Sequence, residues 1–272
     1  MIHLDQLVSN QQVKIHVRLQ KTRLVSSKLA FIILRQGVDT IQGVICDKEL
    51  VVKIKEIPKE SIIEVEGLVT NPKEPIQSTS EQDKEIQINK IELISPSQEE
   101  LPFQLEDALR PKGSQGPNVE RTLLLDHRYL DLRTPTNQAI FRLQSAIGSL
   151  FRSFLIEQEF IEIHTPKLIG GSSEGGSELF PVKYFETSAN LAQSPQLYKQ
   201  MAACSGLNRV FEIGPVFRAE KSNTYRHLTE FTGLDLEMTI ENNYVEILDL
   251  LVSHHFTIIP ILLRPNAVKG WE

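Results

Sequence analysis

The sequence predicts two domains of different class: a small closed all-β barrel, then an α+β unit built around an antiparallel sheet. Three observations predict this. Residues 12–95 run in short stretches of alternating apolar and polar character, residues 95–126 are rich in Pro, Glu, Gln, Gly and Ser, and a long helical periodicity then gives way to further strand-like stretches.

In the first region Val13, Ile15 and Val17 alternate, Phe31 to Leu34 form an apolar run, and Ile62, Val65 and Leu68, then Ile86, Ile88 and Ile91, mark later strands between polar turns. About five strands in about ninety residues is the content of a small barrel, and the first domain is placed at residues 1–95. Residues 96–126 are predicted to be a linker, since a stretch such as Pro111 to Pro117 cannot bury enough apolar surface to form a core element. The second domain is placed at 127–272. There Thr134-Pro135 offers an N-cap with proline at the first helical position, and Ile140, Phe141, Leu143, Ile147, Leu150, Phe151, Phe154 and Leu155 recur at helical spacing to about Glu159. A strand from Phe160 to His164, a Gly/Ser-rich loop through Gly176, a hairpin about Glu186-Thr187 and a helix from Pro195 to near Gly206 follow. Two strands, Arg209 to Glu220 and Leu228 to Thr239, are joined by so short a loop that they must pair antiparallel, which excludes a doubly wound parallel sheet.

Composition narrows the function classes. At 272 residues, 40% hydrophobic and 24% charged, the chain is ordinary globular material. Cys46 and Cys204 stand far apart with no CxxC or His/Cys cluster, so no disulfide framework and no metal site is expected, and both read as buried thiols in a reducing compartment. The start lacks the basic flank and apolar core of a secretory signal, and no later apolar run reads as long enough to cross a bilayer; a cytoplasmic location without a membrane partner is expected. The formal net charge of −6 argues against indiscriminate coating of nucleic acid, yet leaves room for selective reading of unpaired RNA bases.

The densest chemistry lies between Gly214 and Phe231, GPVFRAEKSNTYRHLTEF. Period-two geometry sets Arg218 and Glu220 side by side on one strand face, with Phe231 on the returning strand. An arginine can fork onto a phosphate, a carboxylate can accept from an exocyclic amine and an aromatic ring can stack on a purine, so the three together suit ATP. From these residues alone, an Arg and a Glu two apart on a strand are more often a surface ion pair.

This stretch resembles the second signature motif of class II aminoacyl-tRNA synthetases, and the resemblance extends from about Val13 to about Leu250. It implies an OB-fold anticodon-binding barrel followed by a class II synthetase catalytic domain. By the same resemblance Arg218 is the catalytic arginine at the ATP α-phosphate, Glu220 meets the adenine amine, Phe231 stacks on adenine and His227 lies near the phosphates and the tRNA acceptor end. Phe160 to Pro166, after the long helix, is similar to the first motif, whose proline-ended strand forms a dimer interface at Pro166; a helix packed on a strand is the plainer reading, and both can hold. Ser173-Glu-Gly-Gly176 resembles the loop that closes over the amino acid in the aspartate branch, with Ser173 and Glu174 on the substrate; otherwise it is an ordinary turn. Gln193-Ser-Pro-Gln196 followed by Lys199 favours aspartate among the lysine, asparagine and aspartate branches, which sets Gln196 against the substrate ammonium and Lys199 against its side-chain carboxylate. In the barrel, Phe31 and Gln42 match residues that hold the central anticodon base, with Ser78 and Glu85 as neighbouring contacts, and strand alternation sets Arg35 on the same surface as a further contact; pattern alone would bury Phe31 in the core.

The resemblance to the aspartyl-tRNA synthetases thus implies ATP, aspartate and tRNA(Asp) as partners, a homodimer, and magnesium. It weakens beyond Leu250. The third motif, the magnesium ligands and the second substrate-binding arginine are not found, Pro260 and Pro265 are expected to interrupt a helix, and the chain by itself is expected to be inactive in aminoacylation. A half-built sheet is expected to leave an open edge and uncovered apolar faces, which Ile258, Ile259, Ile261, Leu262 and Leu263 either patch or make prone to aggregation. The adjacent His254 and His255 point apart on any regular element, so no metal is assigned to them. The alternative is a non-catalytic RNA-binding or synthetase-partner protein.

Overall fold

The computed structural model describes residues 3–110, 114–173, 179–222 and 224–262, without the side chains of 255–258 and 260–262. The chain divides into two compact units, Met1–Ala139 and Ile140–Gly270.

The first unit is a closed barrel of β1 (Gln12–Leu24), β2 (Ala30–Gln36), β3 (Asp39–Ile45), β4 (Ile62–Thr70) and β5 (Glu85–Ser95), in the order β1-β2-β3-β5-β4. Closure leaves no strand edge, and every second side chain points inward. Along β4 the inward set is Ile63, Val65 and Val69, so Ile62 and Leu68 of the expected pattern face outward. Helix α1 (Lys48–Glu56) caps the barrel with Val51 and Ile54, and starts where the Asp47 carboxylate accepts from Leu50 N at 2.9 Å.

The stretch expected to be a coreless linker carries α2 (Leu105–Ala108), α3 (Arg121–Asp126) and, just after it, α4 (Arg128–Asp131). Phe103, Leu105 and Leu130 are buried together there, with Leu101, Val119, Leu123 and Leu124 against them. Scattered leucines between polar residues are too sparse for a periodicity count but converge once short helices stack. The compact unit accordingly runs past residue 126, to Ala139.

The second unit follows from α5 (Pro135–Glu157), whose Phe151, Phe154 and Leu155 are buried against Phe160 and Phe211. By length and composition α5 could cross a bilayer, contrary to the expectation that no such run exists; its aromatic stripe instead packs on a sheet. That sheet consists of β6 (Ile161–Glu162), then, beyond the second small sheet of β7 (Leu168–Ile169), β8 (Pro181–Tyr184) and β9 (Thr187–Leu191), and beyond α6 (Gln196–Cys204), the long pair β10 (Arg209–Phe217) and β11 (Glu230–Met238). The expected hairpin turns at Phe185-Glu186, and the chain leaves α6 through Gly206, whose φ of +100° favours glycine.

Strands β10 and β11 pair antiparallel, as their short loop demanded, and β6 joins β10 in parallel. β11 is a sheet edge among the described residues, and an apolar groove of about 490 Å³ lies between α5 and the sheet face it packs on, at Ile140, Ile147, Ile213 and Leu234. The last helix, α7 (Val245–Leu262), continues over Pro260, which corrects the expected interruption. Only two residues follow that proline in the helix, so one lost hydrogen bond near the end is tolerated. His254 packs edge-on against Phe151 and Phe154, at 5.2 and 5.0 Å between ring centroids. Ile259 is exposed, and the other expected patching residues and Pro265 lie outside the described side chains. Cys46 and Cys204 are both exposed, not buried as expected: each sits at or just past the end of an element, where apolar character alone does not enforce burial.

Candidate nucleotide and amino-acid site

The register of β10 on β11 builds the site. Glu212 faces Asp235, Gly214 faces Gly233 and Val216 faces Phe231, and directly opposed residues share a sheet face. Phe211, Ile213, Leu236 and Met238 occupy the opposite face, packed with α5 residues. The polar face therefore carries charged groups at one end, an aromatic ring at the other, and two glycines between. A Cβ on Gly233 would come within 2.9 Å of Val216 Cγ2, so the floor between the two ends is bare of side chains by steric need.

At the aromatic end the Arg218 guanidinium lies 5.4 Å from the Phe231 ring centroid, a cation–π contact. Glu220 Oε2 lies 3.6 Å from His227 Nε2, and His227 Nδ1 is 2.6 Å from Thr224 Oγ1. Arg218 and Glu220 were expected on a strand; β10 ends at Phe217, and they stand just beyond it, with Arg218 N still donating to Thr229 O at 3.0 Å. The ladder persists for one bond while the chain turns into the loop.

At the charged end Lys199, 3% exposed on α6, donates to Asp235 Oδ1 at 2.7 Å and Leu236 O at 3.1 Å, with Glu237 Oε2 at 3.4 Å. Gln196 Nε2 points at the same Glu237 oxygen, 3.4 Å away. Ser173 Oγ accepts from Ser194 N at 3.1 Å and Ser172 Oγ donates to the fully buried Gln193 at 3.0 Å, which ties the start of the Gly/Ser loop to the segment before α6. Glu174 lies outside the described residues.

Three carboxylates of this face went unnoticed in the sequence. Asp235 and Glu237 alternate with Leu236 and Met238 on β11, a period-two signal that could have found them. Glu212, 3% exposed, accepts from Thr165 N and Thr165 Oγ1 at 2.9 and 2.8 Å and pairs with Lys167 at 3.0 Å; only the tertiary fold joins those partners. Among the described residues no group of three or more His, Cys, Asp or Glu converges as a metal site.

On the barrel, Phe31, Gln42 and Ser78 line one cleft of about 420 Å³ together with Lys21, Arg23 and Ile33. Phe31 is half-buried and stands apart from the barrel core, so it belongs to the outer face. Gln42 Nε2 donates to Glu85 Oε2 at 3.0 Å, and Gln87 Nε2 holds the other oxygen at 2.9 Å. Arg35 departs from this set. Alternation does give it the face of Phe31 and Ile33, but it is 5% exposed, pairs with Glu60 at 2.5 Å and donates to Arg133 O at 3.2 Å. A buried carboxylate 25 residues along the chain has captured it. Pro166 is exposed, four residues after β6.

A family model described as tRNA synthetases class II (D, K and N) matches residues 120–258, and a second, OB-fold nucleic acid binding domain, matches 13–94. The chain belongs to the class II tRNA synthetases of the D, K and N group. It is 46% identical to Aspartate–tRNA ligase 1, cytoplasmic, of Arabidopsis thaliana over 99% of its own length and 53% of that protein's. The cytoplasmic Aspartate–tRNA ligase of Homo sapiens is also 46% identical, over 89% of this chain and 50% of that protein. A solved aspartyl tRNA synthetase from Entamoeba histolytica superposes with a TM-score of 0.83 at 40% identity, covering 97% of this chain and 55% of that one. This class II chain thus spans about half the length of the curated relatives it matches.

Proposed function

We propose that this chain carries the anticodon-reading and substrate-holding residues of an aspartate–tRNA ligase, which acts in the cytoplasm as its named relatives do. The ligase joins aspartate to ATP as an aspartyl-adenylate, releasing pyrophosphate, and then passes the aspartyl group to tRNA(Asp). The observation that carries the reading is the glycine-floored sheet face, with the Arg218–Phe231 pair at one end and the Lys199 cluster at the other.

Adenine stacks on Phe231 and its amine donates to Glu220, while the Arg218 guanidinium turns from the ring to the α-phosphate. That cation–π contact is worth only about 0.5–1 kcal/mol where water reaches it, so a charge-assisted bond to phosphate outcompetes it. As the aspartate carboxylate attacks phosphorus in line, Arg218 neutralises charge growing on the phosphate oxygens. His227 stands in the loop beside Glu220, toward the phosphates and the acceptor end.

Lys199 supplies the point charge for the aspartate side chain, with Gln196, Ser173 and Glu174 around its α-amino group. Asp235 and Glu237 already hold the lysine, so aspartate binds by displacing part of that network. Magnesium is implied by the family; among the described residues no group of three or more His, Cys, Asp or Glu converges, and Glu212 and Asp235 each pair with a lysine. In the barrel, Phe31, Gln42, Ser78 and Glu85 hold the anticodon base, and a homodimer forms through the segment ending at Pro166.

The test is ATP binding by calorimetry to the 272-residue chain. Arg218→Ala and Phe231→Ala are each expected to weaken binding by about 1–3 kcal/mol, roughly 5- to 150-fold. Unchanged affinity in both variants overturns the site.

A further inference from the structure

Charge on the barrel is not balanced everywhere. Glu60 is 3% exposed and is surrounded by three guanidiniums: Arg35 pairs with its carboxylate at 2.5 Å, Arg133 at 2.8 Å, and Arg18 donates to its backbone oxygen at 3.0 Å. One carboxylate faces three positive charges. These arginines, with His16, Gln36 and Gln138, line a cleft of about 610 Å³ whose wall contains no carboxylate. The surplus is felt inside the cluster, since burial and the neighbouring Arg133 hold Arg18 below the usual arginine value. The nearest further acid on that strand face, Glu64, is taken by Lys14 and His16, both at 2.8 Å.

A cleft with surplus buried positive charge favours an anion, and its position tells which. Arg18 pairs with Arg35 across β1 and β2, and on the same two strands Arg23 pairs with Phe31. Arg35 stands four positions along β2 from Phe31, a rise of about 13 Å. The arginine cleft and the Phe31 cleft thus lie along one ribbon face, on which Lys21 and Arg23 also stand. A free phosphate would use only the first of these; a strand of RNA uses both.

We propose that Arg18 and Arg133, braced by the buried Arg35–Glu60 pair, form a phosphodiester site that clamps the RNA backbone a few nucleotides from the base held at Phe31. This deepens the reading of the barrel as an RNA-binding domain and rests on it. Arg35 and Glu60 position the outer two guanidiniums; Arg18 is half-buried and the Arg133 side chain 24% exposed, so those two meet the ligand.

The experiment measures binding of a synthetic anticodon stem-loop RNA, and of the same RNA with a scrambled loop, over a series of KCl concentrations. Arg18→Gln and Arg133→Gln are each expected to lower the slope of log K against log salt by about 0.7–0.9, equally for both RNAs, because each removes one counterion-releasing contact. Arg18→Lys keeps the charge and is expected to keep the slope. Thermal melts identify folded variants; without Arg133, Arg35 still pairs with Glu60, so that variant carries the test if Arg18→Gln unfolds. Full slopes in both variants, while Phe31→Ala weakens binding, overturn the clamp and leave the RNA reading intact. No RNA binding by the unaltered chain overturns both. Stabilisation by inorganic phosphate without any change in RNA slope makes the cleft a free-anion site and also overturns the proposal.

Discussion

Lys199, the proposed partner of the aspartate side chain, is also a structural residue. Its ammonium is nearly sealed from water and answers Asp235 and Glu237, which are 31% and 27% exposed. Removing the lysine leaves two carboxylates facing each other across a partly wet site. Lys199→Met is therefore expected to cost about 2–4 kcal/mol, the lower range for breaking a buried pair because water reaches the acids. Urea unfolding measures it, and Asp235→Asn added to the same chain is expected to recover part of the loss. A change below about 0.5 kcal/mol would show that the cluster does not hold β11 to α6. Arg35 teaches a related lesson: parity predicted its face correctly, but parity says nothing about which buried partner a long side chain finds.

Among the elements, α5 and β6 are joined by one well-formed fork. Arg152 Nε and Nη2 donate to the two oxygens of Glu162 at 2.8 and 2.9 Å. The Arg152 guanidinium holds the Glu162 carboxyl below the usual carboxylate range. A depressed folded-state value means the contribution is present at neutral pH and is lost as pH falls below the ordinary carboxylate value and through the folded one. Arg152→Ala is expected to lower stability by about 0.5–1 kcal/mol at pH 7, since Arg152 is partly exposed and solvent screens the pair. The difference from the unaltered chain should shrink steadily in unfolding curves below pH 4; a constant difference across that range means the fork adds nothing electrostatic. Most elements were legible at this scale. The period-two runs of the barrel and the helical spacing of α5 report burial of one face, which is a local property. The short helices α2 and α3 were not legible, because four to six residues carry too few turns to show a period and owe their existence to the leucines they share.

For the molecule as a whole, the net charge of −6 coexists with a cationic ribbon on the barrel, so average charge is a poor guide to local partners. On the sheet face Arg218, the arginine proposed for the nucleotide, lies over the Phe231 ring, and among the described residues no group of three or more His, Cys, Asp or Glu converges. Aspartate-driven exchange of pyrophosphate into ATP by the 272-residue chain is therefore expected to stay at least about 10³-fold below that of a full-length relative, by analogy with one arginine in phosphoryl transfer. Exchange near the relative's rate would show that Arg218 and its neighbours suffice.

From residues alone one could recover the barrel, the long helix, the antiparallel pair and the motif around Arg218, because alternation, helical spacing and loop length are written in adjacent positions. Only the tertiary structure decided that Asp235 and Glu237 hold Lys199, that Glu212 gathers Thr165 and Lys167, and that Glu60 collects three arginines. Those partners lie tens of residues apart. An ion pair depends on where chain reversals bring charged ends within about 4 Å of each other, and no local pattern encodes that distance.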